Sequence, residues 1–384
     1  MRPAAVNRRS RGPVLLAGMI GAALAVSGCG SHAGVTSGPS GRSPAPAARP
    51  APAEPDNRRN VYSGAMSTHV STELAGIPER VYVPNELGRS VDVIDPSSGK
   101  VTDHFPVGRE PEHITPSWDM TRLYVNNTMS NTLTEIDPLS GKPVKTIPVP
   151  DPYNLYFTPD GTKAIVVAER FNRLDFRDPK TWKLLKSVPI PWSGVDHMDF
   201  SADGGYLMAS TEYSGFVVKV DTRQLSYVGQ VNVGGLPIDV RLSPDGSVFY
   251  VANQGRHGVS VIDPLAMKEI EFISTGHGAH GLVVSRDTKS LYVSNRLEGT
   301  ISVIDTATRR VREKWAVGGS PDMMQISPDG QQLWVSNRFH ASVTVIDTVT
   351  GEVLQRIKTG ANPHGLALFP QPGRMSVGHN GVYR

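Results

Sequence analysis

Seven stretches of this chain resemble one another at a spacing of 41 to 43 residues. Tyr82, Tyr124, Ile165, Met208, Tyr250, Tyr292 and Trp334 head the equivalent segments. One unit of about 40–45 residues with several short strands cannot bury a core alone. Stacked units can, and the period is that of a β-propeller. The composition agrees: 38 Gly, 31 Pro and 20% charged residues suit a turn-rich β protein better than a helical one.

The unit between residues 321 and 360 shows the plan. Met324–Ser327 reads as a first strand, Pro328-Asp329-Gly330 as a turn and Gln332–Asn337 as a second strand. Val343–Asp347 alternates as a third, and Val353–Ile357 follows a Gly351 turn as a fourth. Seven equivalents of strands two to four lie between residues 80 and 360. The first-strand series begins one unit late, at His113-Ile114, and ends at Gly365–Leu368. The expected fold is therefore all-β: a seven-bladed propeller of four-stranded blades, its ring closed by a C-terminal strand that completes the N-terminal blade. Closure removes the open edges between first and last blades.

The N-terminus reads as an address. Four arginines within residues 2–11 precede the apolar run Pro13–Val26, and small residues then lead to Cys29. That is a secretory signal, too short to span a membrane. Val26-Ser27-Gly28-Cys29 resembles the bacterial lipobox, and Cys29 is the only cysteine. The expected organisation is a lipoprotein signal peptide over 1–28, a disordered Pro/Ala-rich tether over 29–59 and a propeller over 60–384. Its repeats run from 80 to 372, and a tail follows at 373–384. Lipid on Cys29 would hold the protein to the outer face of a bacterial cell membrane. Residues 1–59 carry eight basic and two acidic residues, which leaves 31 basic against 34 acidic in the remainder. A mildly acidic body argues against non-specific phosphate binding.

Tyr82-Val83-Pro84-Asn85, Tyr250-Val251-Ala252-Asn253 and Tyr292-Val293-Ser294-Asn295 resemble the YVTN-type repeat. The S-P-D-G turns at Ser243–Gly246 and Ser327–Gly330 do so too. From about residue 80 the chain resembles the YncE-like family of exported propellers, as a lipoprotein member. The resemblance implies the fold strongly and an activity weakly, since propellers host unrelated functions.

Two aspartate series look functional and read as structural. Asp95, Asp137, Asp178, Asp221, Asp263, Asp305 and Asp347 end the third strands, where an Asp side chain accepts turn N–H groups. Asp119, Asp160, Asp203, Asp245, Asp287 and Asp329 do the same in the first turns.

Function is expected at the channel mouth and in the top-face loops. Four residues before each first turn lie His113, Asn154, His197 and Asp239, and two before it Tyr156, Asp199 and Arg241. Strand alternation puts both sets on one side of their strands. This polar wall on four successive blades is either a binding site or a hydrated channel. The loops add Glu169, Arg170, Arg173, Trp192, Arg256, Arg296 and Arg338. No cofactor is assigned. A transition metal is the alternative, with His113, His197, His280 and His364 as candidate ligands. The last two sit five residues before the turn, and a one-residue offset sends side chains to opposite faces, so convergence of all four needs bulges.

The chain contains no G-x-S-x-G, no metalloprotease helix and no P-loop. Three readings follow. The first is a monomeric binding or scaffold module at the cell envelope, for a protein, peptide or envelope ligand. The second is a lactonase-like hydrolase using channel-mouth His and Asp, as the fold's resemblance to propeller lactonases implies. The third is single-stranded DNA binding, implied by the YncE-like resemblance and disfavoured by the acidic body.

Overall fold

Each blade is a sheet of four antiparallel strands, and there are seven. The structure, a computed structural model, describes residues 60–379 and 382–384. The signal peptide, Cys29 and the tether lie outside the described residues. Strands are numbered β1 to β28 in chain order. The sheet of β1 (Arg80–Asn85), β2 (Ser90–Asp95) and β3 (Lys100–Pro106) takes its innermost strand from the other end of the chain, β28 (Ala367–Phe369). Val81 faces Leu368 across that junction. The ring closes as the repeat count requires.

The inner strands of the other six blades are β4 (Pro111–Pro116), β8 (Asn154–Phe157), β12 (Val195–Phe200), β16 (Pro237–Leu242), β20 (Ala279–Val284) and β24 (Pro321–Ile326). All are buried apart from the last residue of β20. Their apolar side chains, such as Ile114, Leu155, Met198 and Val240, pack between blades. Fourth strands such as β3 are mostly exposed, as expected of an outer edge.

Five of the six inner strands carry a register irregularity at one place. It falls between Pro111 and Ile114, Val195 and Met198, Pro237 and Val240, Ala279 and Leu282, and Pro321 and Met324. A bulge of this kind sets two consecutive residues against one on the partner strand and re-aims their side chains.

Residues 60–77 form no strand. They run beneath the blades, where the Tyr62 hydroxyl donates to Leu242 O (2.8 Å) and Val61 N–H to Pro244 O (2.9 Å). The tail also lies on that face: Ser376 N–H donates to Trp118 O (3.1 Å) and Phe157 N–H to Val377 O (3.0 Å).

Both aspartate series are turn chemistry. Asp95 accepts the Ser97 N–H at 2.9 Å and Asp347 the Val349 N–H at 2.8 Å. Asp245 accepts from the Ser243 hydroxyl (2.5 Å) and the Ser247 N–H (3.1 Å). Partial burial pushes the Asp245 carboxyl up, but these donors outweigh it and hold it below the usual aspartate range. A depressed carboxylate adds stability above its unfolded pKa, and that stability is lost as pH falls through the folded pKa. Asp245→Ala is therefore expected to cost up to about 1 kcal/mol at pH 7, the carboxylate being solvent-facing. The gap to wild type should shrink below about pH 4. Urea melts at pH 7 and pH 3 measure both; an unchanged gap would rule out this account.

Candidate functional site

Around the axis, the inner strands present two consecutive tiers of side chains. The upper tier is Glu112, Tyr153, Asp196, Ile238, His280, Asp322 and His364, five residues before each turn. The lower tier, one residue on, is His113, Asn154, His197, Asp239, Gly281, Met323 and Gly365. The bulges let both tiers contribute to the channel. The offset between His113 and His280 or His364 therefore does not part them: the His113 and His364 rings lie 4.6 Å apart, and those of His280 and His364 6.1 Å.

His113, His197 and His379 form the centre. Their exposures are 0%, 0% and 1%. Ring centroids are 5.2 Å apart for His113–His197, 4.4 Å for His113–His379 and 4.5 Å for His197–His379. One nitrogen from each ring lies within 4.8 Å of the others. None of their six ring nitrogens has a hydrogen-bond partner. His197 Nδ1 does come within 2.5 Å of Asp196 Oδ1, but out of bonding alignment. Burial holds His113 and His379 well below the usual imidazole range and His197 down to about 4, so all three are neutral at pH 7.

His379 arrives from the tail, which reaches the axis because Gly378 leaves room, as Gly365 does for the His113 ring. A Cβ on Gly378 would stand 2.2 Å from a Tyr156 ring carbon, and one on Gly365 would stand 2.6 Å from His113 Nδ1.

Beside this centre, His280, Asp322 and His364 form a second group within 4.8 Å. Arg296 bonds Asp322 Oδ1 (2.6 Å) and contacts His280; Glu112 pairs with His364 and Arg338 with Glu86. On the opposite side of the mouth, burial raises Glu169 and Glu212 to about 7 and Asp196 to about 8.

The other expected site residues hold the ring together. The Tyr156 hydroxyl accepts Met198 N–H (3.1 Å), Asp199 accepts Leu242 N–H (2.8 Å), Asp239 accepts Leu282 N–H (2.8 Å) and Arg241 donates to Leu282 O (2.9 Å). Each bond ties one inner strand to the next blade. Asn154 donates to the Tyr156 hydroxyl (3.3 Å), and Asp199 also pairs with Arg384. Of the seven channel residues, only His113 and His197 keep unpartnered atoms.

The loop arginines are paired internally: Arg170 with Asp151, Arg173 with Asp175, Arg256 with Glu269, Arg296 with Asp322 and Arg338 with Glu86. Trp192 stacks on Phe216 with ring centroids 4.0 Å apart. Sequence reasoning passed over Glu112, Asp322 and His379. Reading the five-back column across blades would have found the first two. His379 lies outside the repeat.

The family model of the YNCE-like beta-propeller matches residues 63–372, and the chain belongs to that family. No curated protein sequence matches it. Among solved structures, the periplasmic gluconolactonase of Pseudomonas aeruginosa is 19% identical, with a TM-score of 0.64 over 77% of this chain and 99% of that one. The Kuenenia stuttgartiensis hydrazine synthase is 19% identical, with a TM-score of 0.58 over 66% and 87%. A functionally unknown protein from Desulfotomaculum acetoxidans is 17% identical, with a TM-score of 0.64 over 75% and 98%. At such identities these likenesses speak for the fold alone.

Gly378→Ala is expected to push the tail off Tyr156 and carry His379 from the axis, at a cost of about 1–3 kcal/mol. Limited proteolysis should then cut the tail faster than in wild type. An unchanged cleavage rate would contradict this packing.

Proposed function

We propose that this YNCE-like propeller is a binding module at the bacterial cell envelope, and that its ligand is a transition-metal ion held on the axis by His113, His197 and His379. The reading rests on one observation: three neutral imidazoles meet in the buried centre with no aligned hydrogen bond on any ring nitrogen, only His197 Nδ1 having a polar atom, Asp196 Oδ1, beside it. Each unsatisfied buried polar group costs about 1–3 kcal/mol. A bound ion offsets that cost by accepting one lone pair from each ring. Imidazole suits zinc and copper, whose bonds to nitrogen are about 2.0–2.1 Å for zinc. Tetrahedral zinc would set the three nitrogens about 3.4 Å apart. The three nitrogens, now within 4.8 Å of one another, need to draw together by up to about 1.4 Å. Three protein ligands leave the fourth coordination position of a tetrahedral ion unfilled by the protein.

The envelope setting rests on the signal-like N-terminus and on Cys29. Lipid on Cys29 and the 30-residue stretch after it would hold the propeller off the membrane surface.

A lactonase would need channel-mouth His and Asp groups free to activate water. Asp199 and Asp239 are already bonded to backbone N–H groups, and the imidazoles are sealed from solvent. Single-stranded DNA binding wants open aromatic faces beside a basic groove. Trp192 stacks on Phe216, and the arginines are paired.

The full chain, purified without a metal-binding tag, is expected to retain zinc or copper after desalting. Added zinc at about 100-fold over its Kd should stabilise the metal-free form by about 2.7 kcal/mol for each such site. His113→Leu should lose the axial ion yet be at least as stable as wild type in EDTA, because it removes orphaned polar atoms. Absence of retained metal, with no stabilisation by zinc, copper or cobalt, would sink the proposal.

A further inference from the structure

His280, Asp322 and His364 occupy the same upper-tier position on three successive blades. They enter from β20, β24 and the residues just before β28. Their exposures are 3%, 0% and 1%. Each has one polar atom held from outside, and Asp322 and His364 each keep one left bare. His280 Nε2 contacts Arg296. Asp322 Oδ1 takes Arg296 Nη2 at 2.6 Å and Nε at 3.1 Å. His364 Nδ1 contacts the Glu112 carboxylate. The bare atoms are Asp322 Oδ2 and His364 Nε2, buried without a hydrogen bond, and His280 Nδ1 is buried with only the Asp322 carboxylate before it. His364 Nε2 is 3.9 Å from Asp322 Oδ2, and His280 Nδ1 is 2.8 Å from Asp322 Oδ1 without bonding alignment.

Polar groups that serve only the fold are normally satisfied on all sides. Here the far sides of Asp322 and His364 are anchored and their near sides are not, while Arg296 at His280 Nε2 leaves the His280 proton on Nδ1, facing Asp322. That division is how metal ligands are held: a second partner fixes the ring or carboxylate, and the facing atom is kept for the ion. A carboxylate donated to by His364 Nδ1–H orients Nε2 and raises its basicity, which is the usual second-tier support of a ligating imidazole. We infer that this group is a second metal site, distinct from the three-imidazole centre, with two imidazoles and one carboxylate as ligands. The inference rests on the axial metal reading above and deepens it to a pair of neighbouring ions.

The two sites differ in chemistry. The axial centre is all nitrogen and neutral. The second brings the charge of Asp322, with Glu112 behind His364, and two imidazoles plus one carboxylate suit iron(II), zinc or cobalt(II) with positions open to a further ligand. An ion on His280 Nδ1 leaves the proton on Nε2. The contact of Arg296 with that nitrogen is then released, while its bonds to Asp322 remain. The His113 ring of the axial centre lies 4.6 Å from the His364 ring of the second group.

The test counts ions. The full chain is stripped with EDTA, reloaded separately with Co(II) and Zn(II), desalted and assayed for metal per chain. Wild type should hold two. Asp322→Asn and His364→Gln should each hold one, and His379→Ala should also hold one, from the other site. Thermal melts show that each variant is folded. His364→Gln serves if Asp322→Asn, which strips Arg296 of its partner, does not fold. One ion in wild type, kept in His364→Gln and lost in His379→Ala, overturns the second site and leaves the axial reading standing. One ion lost in both variants also overturns it, since a single shared ion then explains both groups. No ion in wild type overturns both readings.

Discussion

Three residue pairs between β1 and β28, Arg80–Phe369, Val81–Leu368 and Tyr82–Ala367, hold the ring shut. Gln325 adds a side-chain bond to the Leu368 N–H. Much else follows from this short junction. It sets His364 between the blades that carry Asp322 and Glu112. It also starts the tail from beneath the first blade, from where His379 reaches the axis. The closing strand is thus both the last edge covered and the origin of ligands that no complete repeat supplies.

The channel interior divides labour by depth. Two residues before five of the seven turns, polar side chains reach sideways to a neighbouring blade's backbone, as Tyr156 does to Met198 and Arg241 to Leu282. Such bonds stop the blades from sliding past one another, because each is buried and directional. Above them the side chains point inward, and several keep atoms with nothing to bond. The protein carries there an unfavourable term that its packing tolerates, a pattern concentrated at functional places.

The fold was largely legible, because a period near 42 residues and the displaced first-strand series both survive in the order of residues. The site was legible in fragments. His113, His197, His280 and His364 stood out, yet strict alternation argued the two pairs apart. A bulge depends on how a strand registers with its partner, and nothing in Glu112-His113 or Asp196-His197 announces one. Tyr156, Asp199, Asp239 and Arg241 looked like a binding wall because a list of inner-strand residues cannot say which face meets the next blade. The loop arginines looked free for the same reason: their acids, such as Asp151 for Arg170 and Glu86 for Arg338, are distant in sequence.

A repeat protein has trouble making anything singular. Whatever one blade offers, its six sisters tend to offer too, and a closed ring of like units favours even, diffuse surroundings over a single point of attachment. His379 belongs to no blade. As the tail crosses beneath the channel, with Gly378 flat against Tyr156, it gives one direction around the ring a meaning the others lack. A change confined to these few residues could therefore convert an empty tube into a receptacle, or back again, with every blade untouched. Relatives that share all seven blades need not share a task.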